Sequence, residues 1–593
     1  MAESAQRPPL GFPLPAAAWL RGYSRTDFGA DLLASVIVTI MLIPQSLAYA
    51  MLAGLPPETG LYASMLPVVA YAAFGSSRVL AVGPVAVISL MTATALAEVT
   101  ATHDVAWPVA AAVLAMLSGL FLVLLGLLRM GWIANFLSHS VISGFISASA
   151  IVIALGQFEH IFGVEADGKT LPVLLPALGA SAARAIPEVM AIGFGAIAFL
   201  YFVRSHLGPM LRSFGMAPGL ATACVRAGPV LAVVFGTLAV SWLSLAQQGV
   251  PVVGAVPAGL PALVLPRVEL DLVVALLPSA ILISLVGFVE SISVGQSLAM
   301  RRRQRVEPDQ ELLGLGAANL VSGLSGGFPV TGGFSRSVVN YDAGAVTPMA
   351  GVLTAVAMAA VAAFMTPAFH DLPRAVLGAV IVVAVLPLVD FAAMGRALRH
   401  SRWDFAALAL TFAGVLLLGV EIGIALGVLL SLAVHLGRSS RPHMAVVGRV
   451  PGTEHFRNVD RHAVLTAQRV LSVRVDESLW FGNVRFLEDR LGALVSERPG
   501  VTDLVLQCTA VNGVDGSAME TLERISERLD AAGVRLHLSE VKGPVMDVLR
   551  HAGIPERLTG RVFFTQHEAM RALAPDDEPG NGRAPCAGDG DGI

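Results

Sequence analysis

The sequence predicts an α-helical polytopic membrane protein followed by a small α/β domain, and three observations predict this fold class. Of the 593 residues, 55% are hydrophobic and 14% are charged, whereas soluble proteins average about 25% charged residues. The charges are unevenly divided, because residues 1–438 contain 42 of them and the much shorter stretch 439–593 contains 40. Long apolar runs also occur only before residue 438. The first part is therefore predicted to lie in a membrane and the second in water.

Fourteen membrane segments are predicted in the first part. Twelve are apolar runs suited to crossing about 30 Å of hydrocarbon, at residues 31–54, 61–74, 107–128, 134–158, 189–203, 228–245, 272–298, 311–324, 347–365, 375–388, 405–418 and 422–436. Two more, 84–97 and 333–341, are too short or too polar for ordinary spans, and each follows a stretch with glycine and proline. They are the third segments of two sets of seven. Such a correspondence favours a transporter of two inverted seven-segment repeats, the alternative being two re-entrant loops without a binding site.

Loop charges give an independent test of this count. With the N-terminus inside, the inner loops and tails contain 16 arginines, whereas the outer loops contain four basic residues. This asymmetry satisfies the positive-inside rule. The sequence thus predicts a multi-pass protein of the cell inner (plasma) membrane with both termini in the cytoplasm.

Composition also predicts the domain boundaries. We expect a cytoplasmic N-terminal tail at 1–26, a transmembrane domain at 27–438, a linker at 439–465, an α/β domain at 466–575 and a disordered tail at 576–593. The linker is polar and contains proline and glycine, and strand-like and helix-like stretches alternate after it. The last tail is rich in Gly, Asp and Pro, a composition typical of disorder.

The second short segment contains the residues best suited to binding an anion. A half-helix that begins near the bilayer centre directs unsatisfied N–H groups and a positive dipole end at its ligand. Arg336 lies in its first turn and is the one basic residue that the loop count leaves inside a segment. A buried arginine is costly and by default functional, the alternative being a snorkelling or structurally paired side chain. The hydroxyls of Ser335 and Ser337 are expected either to donate to an anion or to cap the helix.

Two further segments contain polar residues at membrane depth. Glu290 lies in the middle of run 272–298, where a carboxylate must be neutralised by a proton, a cation or an arginine. It is therefore either a proton or sodium coupling group or a static partner of Arg336. In the first segment, Pro44 is expected to interrupt the helix. Gln45 could bind substrate from that break, and Tyr49, one turn later, shares its face.

Several other classes of protein are disfavoured. The net charge of −4 gives no basic face for nucleic acid. The three cysteines, Cys224, Cys508 and Cys586, have neither metal-ligand nor disulfide spacing. We therefore expect no enzyme activity, no metal and no cofactor.

Three long motifs resemble those of the SulP family, the sulfate-permease-type anion transporters. They are IPQSLAYAMLAGLPPETGLYAS at 43–64, SSRVLAVGPVAVISLM at 76–91 and GLGAANLVSGLSGGFPVTGGFSRSVVNYDAGAVT at 314–347. The C-terminal domain resembles the STAS domain, which follows the membrane part in this family. Its loop departs from the bacterial anti-sigma-factor antagonists, because Gly516 stands at their phospho-acceptor serine.

The resemblance implies two inverted seven-segment repeats, elevator-like transport and a homodimer in the lipid bilayer. It places the anion site on Gln45, Tyr49, Val85, Ser335 and Arg336, and the coupling position on Glu290. It implies secondary active transport of an inorganic anion, sulfate by family default, and does not name the coupling ion. We expect H⁺, because a proton carried with a dianion lowers the net charge moved through the membrane. The alternatives are a Na⁺-coupled bicarbonate transporter, a dicarboxylate transporter, and an anion exchanger or channel.

Overall fold

The computed structural model describes residues 15–575 except 137, 165–167, 169, 264, 267 and 268. The chain divides into two compact units, residues 1–431 and 432–593. Residues 1–14 of the predicted tail 1–26, the whole predicted tail 576–593 with Cys586, and two outer-loop cations (Lys169 and Arg267) lie outside the described residues.

The first unit is helical, as predicted. Its first half contains helices α1 to α13, at Pro15–Arg21, Arg25–Leu52, Pro57–Tyr62, Leu66–Phe74, Ala86–Thr100, Trp107–Leu127, His139–Gly156, Phe158–Phe162, Leu171–Ala182, Pro187–Phe202, Gly208–Ser213, Pro218–Arg226 and Gly228–Trp242. Its second half contains α14 to α21, at Leu270–Arg301, Pro308–Leu324, Phe334–Asp342, Met349–Phe364, Arg374–Val385, Phe391–His400, Arg402–Leu418 and Val420–Ser439. Two short strands, β1 (Val82–Gly83) and β2 (Thr331–Gly332), belong to the same unit.

Helix lengths bear on the predicted spans. In the described part of the chain, seven helical stretches are long and apolar enough to cross a membrane, and four apolar helices are shorter. The count of fourteen segments therefore stays a prediction. The two segments expected to be short are short: α5 has 15 residues and α16 has nine. At 1.5 Å per residue they extend about 22 and 14 Å, less than the hydrocarbon thickness of about 30 Å.

The predicted break at Pro44 is wrong. Helix α2 continues through this proline for 28 residues, from Arg25 to Leu52. A proline removes one backbone donor, and packing around a buried helix can outweigh that loss. The helix begins earlier than expected because Ser24 and Asp27 form a capping box.

A buried carboxylate fixes the chain that leads into β1. Glu311, on α15, is fully buried and accepts hydrogen bonds from the Tyr71 hydroxyl at 2.7 Å and from the backbone N–H groups of Ser76 and Ser77 at 2.8 Å. Its Oε1 also accepts the Ser76 hydroxyl at 2.7 Å. Because a charged acceptor binds N–H and O–H groups strongly, the position of β1 is fixed by a helix about 235 residues away in sequence.

The second unit is an α/β domain. It contains strands β3 to β8 at Met444–Arg449, Phe456–Asn458, Val470–Val475, Asp503–Gln507, Arg535–Ser539 and Val562–Phe563, and helices α22 to α26 at Val484–Ser496, Gly516–Ala531, Gly543–His551, Ile554–Arg557 and Gln566–Leu573. The strands form one sheet in the order β4-β3-β5-β6-β7-β8, in which β5 to β8 are parallel. Leu504 and Leu506 pack with α22 to α24, whereas Val505 packs with α26, so helices cover both faces.

Two strands lie within residues 439–465, where the sequence predicted a linker. Strand β3 pairs antiparallel with both β4 and β5. Residues Pro451 and Gly452, which favoured the linker interpretation, form the turn between β3 and β4, and Gly452 has a φ of 73°. Ala445 and Val447 pack against Phe456. Strand β3 has four apolar residues and β4 has one, too few to be distinguished from a loop without the sheet they join.

Candidate anion-binding site

Two half-helices begin beside one short ribbon. Strands β1 and β2 pair antiparallel, with Val82 opposite Gly332 and Gly83 opposite Thr331. Each strand leads within three residues into a helix, β1 into α5 and β2 into α16. Neither α5 nor α16 has a side-chain cap on its first turn. Unsatisfied backbone N–H groups and the positive ends of two helix dipoles are therefore available at this ribbon.

The guanidinium of Arg336 lies over the ribbon. A Cβ atom on Gly83 would lie 2.6 Å from Nη1 of Arg336, and one on Gly333 would lie 3.2 Å from Nε and Nη2. The same position on Gly333 is 3.4 Å from Cγ2 of Val85. Gly83 also has a φ of 151°, which side chains rarely adopt. Glycine at 83 therefore provides the space that the guanidinium occupies, and Val85 lies beside it.

This guanidinium is buried without a hydrogen-bonding partner. Arg336 is 3% exposed, and within the described part of the chain its Nη1 and Nη2 donate to no acceptor. A buried donor without an acceptor costs about 1–3 kcal/mol, and more when it is charged. An anion bound at the ribbon would accept from both nitrogens at once.

Glu290 is held next to β2 by its neighbour. The Ser291 hydroxyl accepts the Gly332 N–H at 2.8 Å and lies 2.7 Å from the Thr331 hydroxyl, which donates to the Gly287 carbonyl at 2.6 Å. Because the Thr331 hydroxyl donates its one proton to Gly287, the Ser291 hydroxyl is the donor in its contact with Thr331. They fix α14 to the strand that leads into Arg336.

Glu290 and Arg336 are not an ion pair. Among the described residues, no ion pair within 4.0 Å joins them, although their charges interact at longer range. Glu290 is half-buried and lines a narrow apolar cleft with Ile142 and Phe145 of α7 and Ile424 of α21. The geometry therefore disfavours a static partner of Arg336.

The two residues predicted on α2 are buried on one face. Gln45 is 6% and Tyr49 is 8% exposed. Tyr49 packs in one cluster with Ala86, the first residue of α5. Tyr49 therefore lies near the start of α5, beside the ribbon. Gln45 is buried one helical turn before Tyr49 on the same face of α2.

The two serines beside Arg336 differ in their surroundings. The Ser337 hydroxyl donates to the Gly333 carbonyl at 2.7 Å and accepts the Ala81 N–H at 2.9 Å, so it ties the two halves of the ribbon together. Ser335 is exposed, as is Phe334 before it. Ser335 is therefore accessible to a ligand, and Ser337 has a structural role.

Sequence reasoning missed four residues that position the site. Ser291, Thr331 and Glu311 make the bonds described above, and Asn319 does the same for β2 through two 2.9 Å bonds with the backbone of Val330. Small polar residues within apolar segments were the available signal. In the described residues, no group of three or more His, Cys, Asp or Glu side chains could hold a metal ion.

Comparison with known proteins gives two family matches. The model of the Sulfate permease family matches residues 28–411, and that of the STAS domain matches residues 462–569. The chain is 35% identical to the probable sulfate transporter 4.2 of Arabidopsis thaliana, over 94% of this chain and 83% of that protein. It is 32% identical to a probable sulfate transporter of Mycobacterium tuberculosis, over 94% of this chain and 98% of that protein.

Solved structures share the fold. The murine Solute Carrier 26 family member A9 anion transporter in its inward-facing state matches with a TM-score of 0.85, covering 97% of each chain at 21% identity. The transmembrane domain of a cyanobacterium bicarbonate transporter matches with a TM-score of 0.58, covering 69% of this chain and 98% of that one, also at 21% identity. At this identity the likeness concerns the fold alone.

Proposed function

The chain belongs to the sulfate permease family, and we propose that it couples the uptake of sulfate to a proton gradient. Family membership makes it a multi-pass membrane transporter of anions and not an enzyme. Sulfate is proposed because relatives that align over nearly the whole chain are named sulfate transporters.

The observation that carries the proposal is the buried Arg336 guanidinium, whose two terminal nitrogens lack partners at the start of two half-helices. A tetrahedral dianion offers paired oxygens to a planar fork of donors. The helix N-termini supply the rest of the positive potential without further buried charge. Gln45, Tyr49, Val85 and Ser335 are proposed to complete the substrate site.

We assign proton coupling to Glu290. It lies at membrane depth, next to the strand that leads into Arg336, and has no ion-pair partner in the described residues. Moving one proton with a dianion lowers the net charge that crosses the bilayer, and hence the electrostatic cost. Sodium at the same carboxylate is the competing assignment.

The deciding experiment measures uptake of labelled sulfate by proteoliposomes that contain the purified full chain. We expect accumulation driven by an inward proton gradient, none driven by sodium alone, and competition by excess unlabelled sulfate. Accumulation driven by a sodium gradient would show that sodium, and not the proton, is the coupling ion. Uptake of bicarbonate or fumarate without sulfate uptake would show that the substrate is that anion and not sulfate. Trans-stimulated exchange alone would indicate an exchanger.

We also propose that the site moves by an elevator-like mechanism, in a homodimer whose termini are cytoplasmic in the plasma membrane. The cleft beside Glu290 supports this motion, because its lining from α7, α14 and α21 is apolar apart from Glu290. Ile146→Cys and Val286→Cys place one thiol on each of two sides of that cleft, and a bifunctional thiol reagent with a reducible disulfide joins them.

This cross-link should stop transport, and reduction should restore it. Ser118→Cys with Ser284→Cys is the matched control, since their hydroxyls lie 2.7 Å apart between α6 and α14, two helices that we propose move together. Full transport by the cross-linked Ile146–Val286 pair would contradict the mechanism.

A further inference from the structure

A large groove in the C-terminal unit has no role in the function proposed above. Its volume is about 1110 Å³. It is lined by β3, by residues 465–468 before β5, by residues 498–501 before β6, and by α26 with the two residues that end the described chain. All of these segments belong to one compact unit.

The groove is cationic. Arg449, Arg498, Arg571 and His567 line it, and no Asp or Glu is among its lining residues. In the described part of the domain, none of the three guanidinium groups forms an ion pair. Nδ1 of His567 is buried without a hydrogen-bonding partner there. The groove therefore offers several donors to an anion. The carboxylate of Glu454, which is not among the lining residues, lies 3.9 Å from Nε2 of His567 and leaves the three guanidinium groups unpaired in the described residues.

The chain itself supplies an anion at the edge of this groove. Pro575 lines the groove, and the next three residues are Asp576, Asp577 and Glu578. Residues 576–593 contain five acidic residues and one basic residue, Arg583. Three residues reach at most about 11 Å from their attachment point, so the acidic run has the groove within its reach.

We propose that the acidic segment beginning at Asp576 binds in this groove of its own chain, with its carboxylates against Arg449, Arg498 and Arg571. Tethering favours this occupant over a free anion, because a short linker gives an effective concentration in the millimolar range. A free anion of equal affinity would have to reach that millimolar concentration to displace the segment.

The test uses a peptide of residues 576–593 labelled at Cys586, the one cysteine in that segment. Fluorescence anisotropy measures its binding to the purified chain ending at Pro575 and to the full chain. We expect saturable binding to the shortened chain and at least about tenfold weaker binding to the full chain, whose own segment competes. Raising the salt concentration should weaken binding, because the ion pairs are partly exposed.

Variants locate the binding. Arg449→Gln and Arg571→Gln should each weaken peptide binding about two- to fivefold, the range of exposed ion pairs, whereas Arg485→Gln on α22, which is exposed outside the groove, should not. Equal binding by the shortened and full chains would overturn the proposal. So would equal binding of a peptide with its acids replaced by Asn and Gln. Inorganic phosphate binding equally well to both chains would also contradict it, since the groove would then be open to free anions.

Discussion

At the scale of single residues, Arg336 is the buried charge to which we assign the anion. Its replacement by alanine should weaken apparent sulfate affinity about 10- to 100-fold, because hydrogen bonds to charged groups contribute about 1.5–3 kcal/mol. Arg336→Lys should recover part of this loss, since lysine keeps the charge but not the fork. The measurement is the concentration dependence of sulfate uptake in proteoliposomes.

The control for this prediction is Arg399→Ala, which removes an exposed arginine of α19 and should leave uptake unchanged. Thermal unfolding of each purified variant separates a lost site from a lost fold. Near-normal affinity and rate in a folded Arg336→Ala protein would refute the site assignment.

Glu290 is the residue to which we assign the coupling. Glu290→Gln imitates the permanently protonated side chain, so it should retain sulfate exchange but lose accumulation driven by a pH gradient. Glu421→Gln is the matched control, because Glu421 is a half-buried carboxylate of the same unit that accepts the Ser279 hydroxyl. If Glu290→Gln concentrates sulfate with the wild-type pH dependence, Glu290 is structural.

At the scale of elements, the β1–β2 ribbon sets the position of Arg336. Gly83→Ala places a methyl group where Nη1 lies, at a separation of 2.6 Å that atoms do not tolerate, and should displace the guanidinium. Sulfate affinity is expected to fall about as far as in Arg336→Ala, a loss of about 1.5–3 kcal/mol, and competition binding of sulfate measures it.

The variant Gly344→Ala tests whether the loss of affinity in Gly83→Ala comes from the contact with Arg336 or from backbone strain. Gly344 also has a positive φ, 94°, but a Cβ atom there meets no atom within 4 Å. This variant should lose some stability, about 1 kcal/mol, and keep its affinity. Equal loss of affinity in both glycine variants would mean that strain, and not the guanidinium contact, accounts for the effect.

At the scale of the whole molecule, the two units are separable. Deleting residues 441–593 should leave the membrane unit folded, since α21 ends at Ser439 and the two units are compact by themselves. Transport rate or expression should fall, whereas the preference for sulfate over other anions should stay. The measurement is uptake of competing anions by the truncated protein, and a changed preference would show that the domain shapes the site.

The sequence by itself determined the division into two parts and which residues are candidates for the site. Charge density separates the membrane unit from the α/β domain because lipid excludes charged side chains whatever their contacts. The short segments that correspond to α5 and α16 were recognisable by their length. Arg336 and Glu290 were recognisable because burying a charge in a membrane segment is costly. These are local properties, so they can be read along the chain.

The tertiary structure alone decided which polar groups are satisfied. Ser335 and Ser337 look equivalent in sequence, yet Ser337 bonds to Ala81, 256 residues away, while Ser335 is exposed. The absence of an ion pair between Arg336 and Glu290 in the described chain, and the role of Glu311 in fixing β1, depend likewise on long-range contacts. A hydrogen bond depends on tenths of an ångström between distant segments, and only the folded chain fixes that distance.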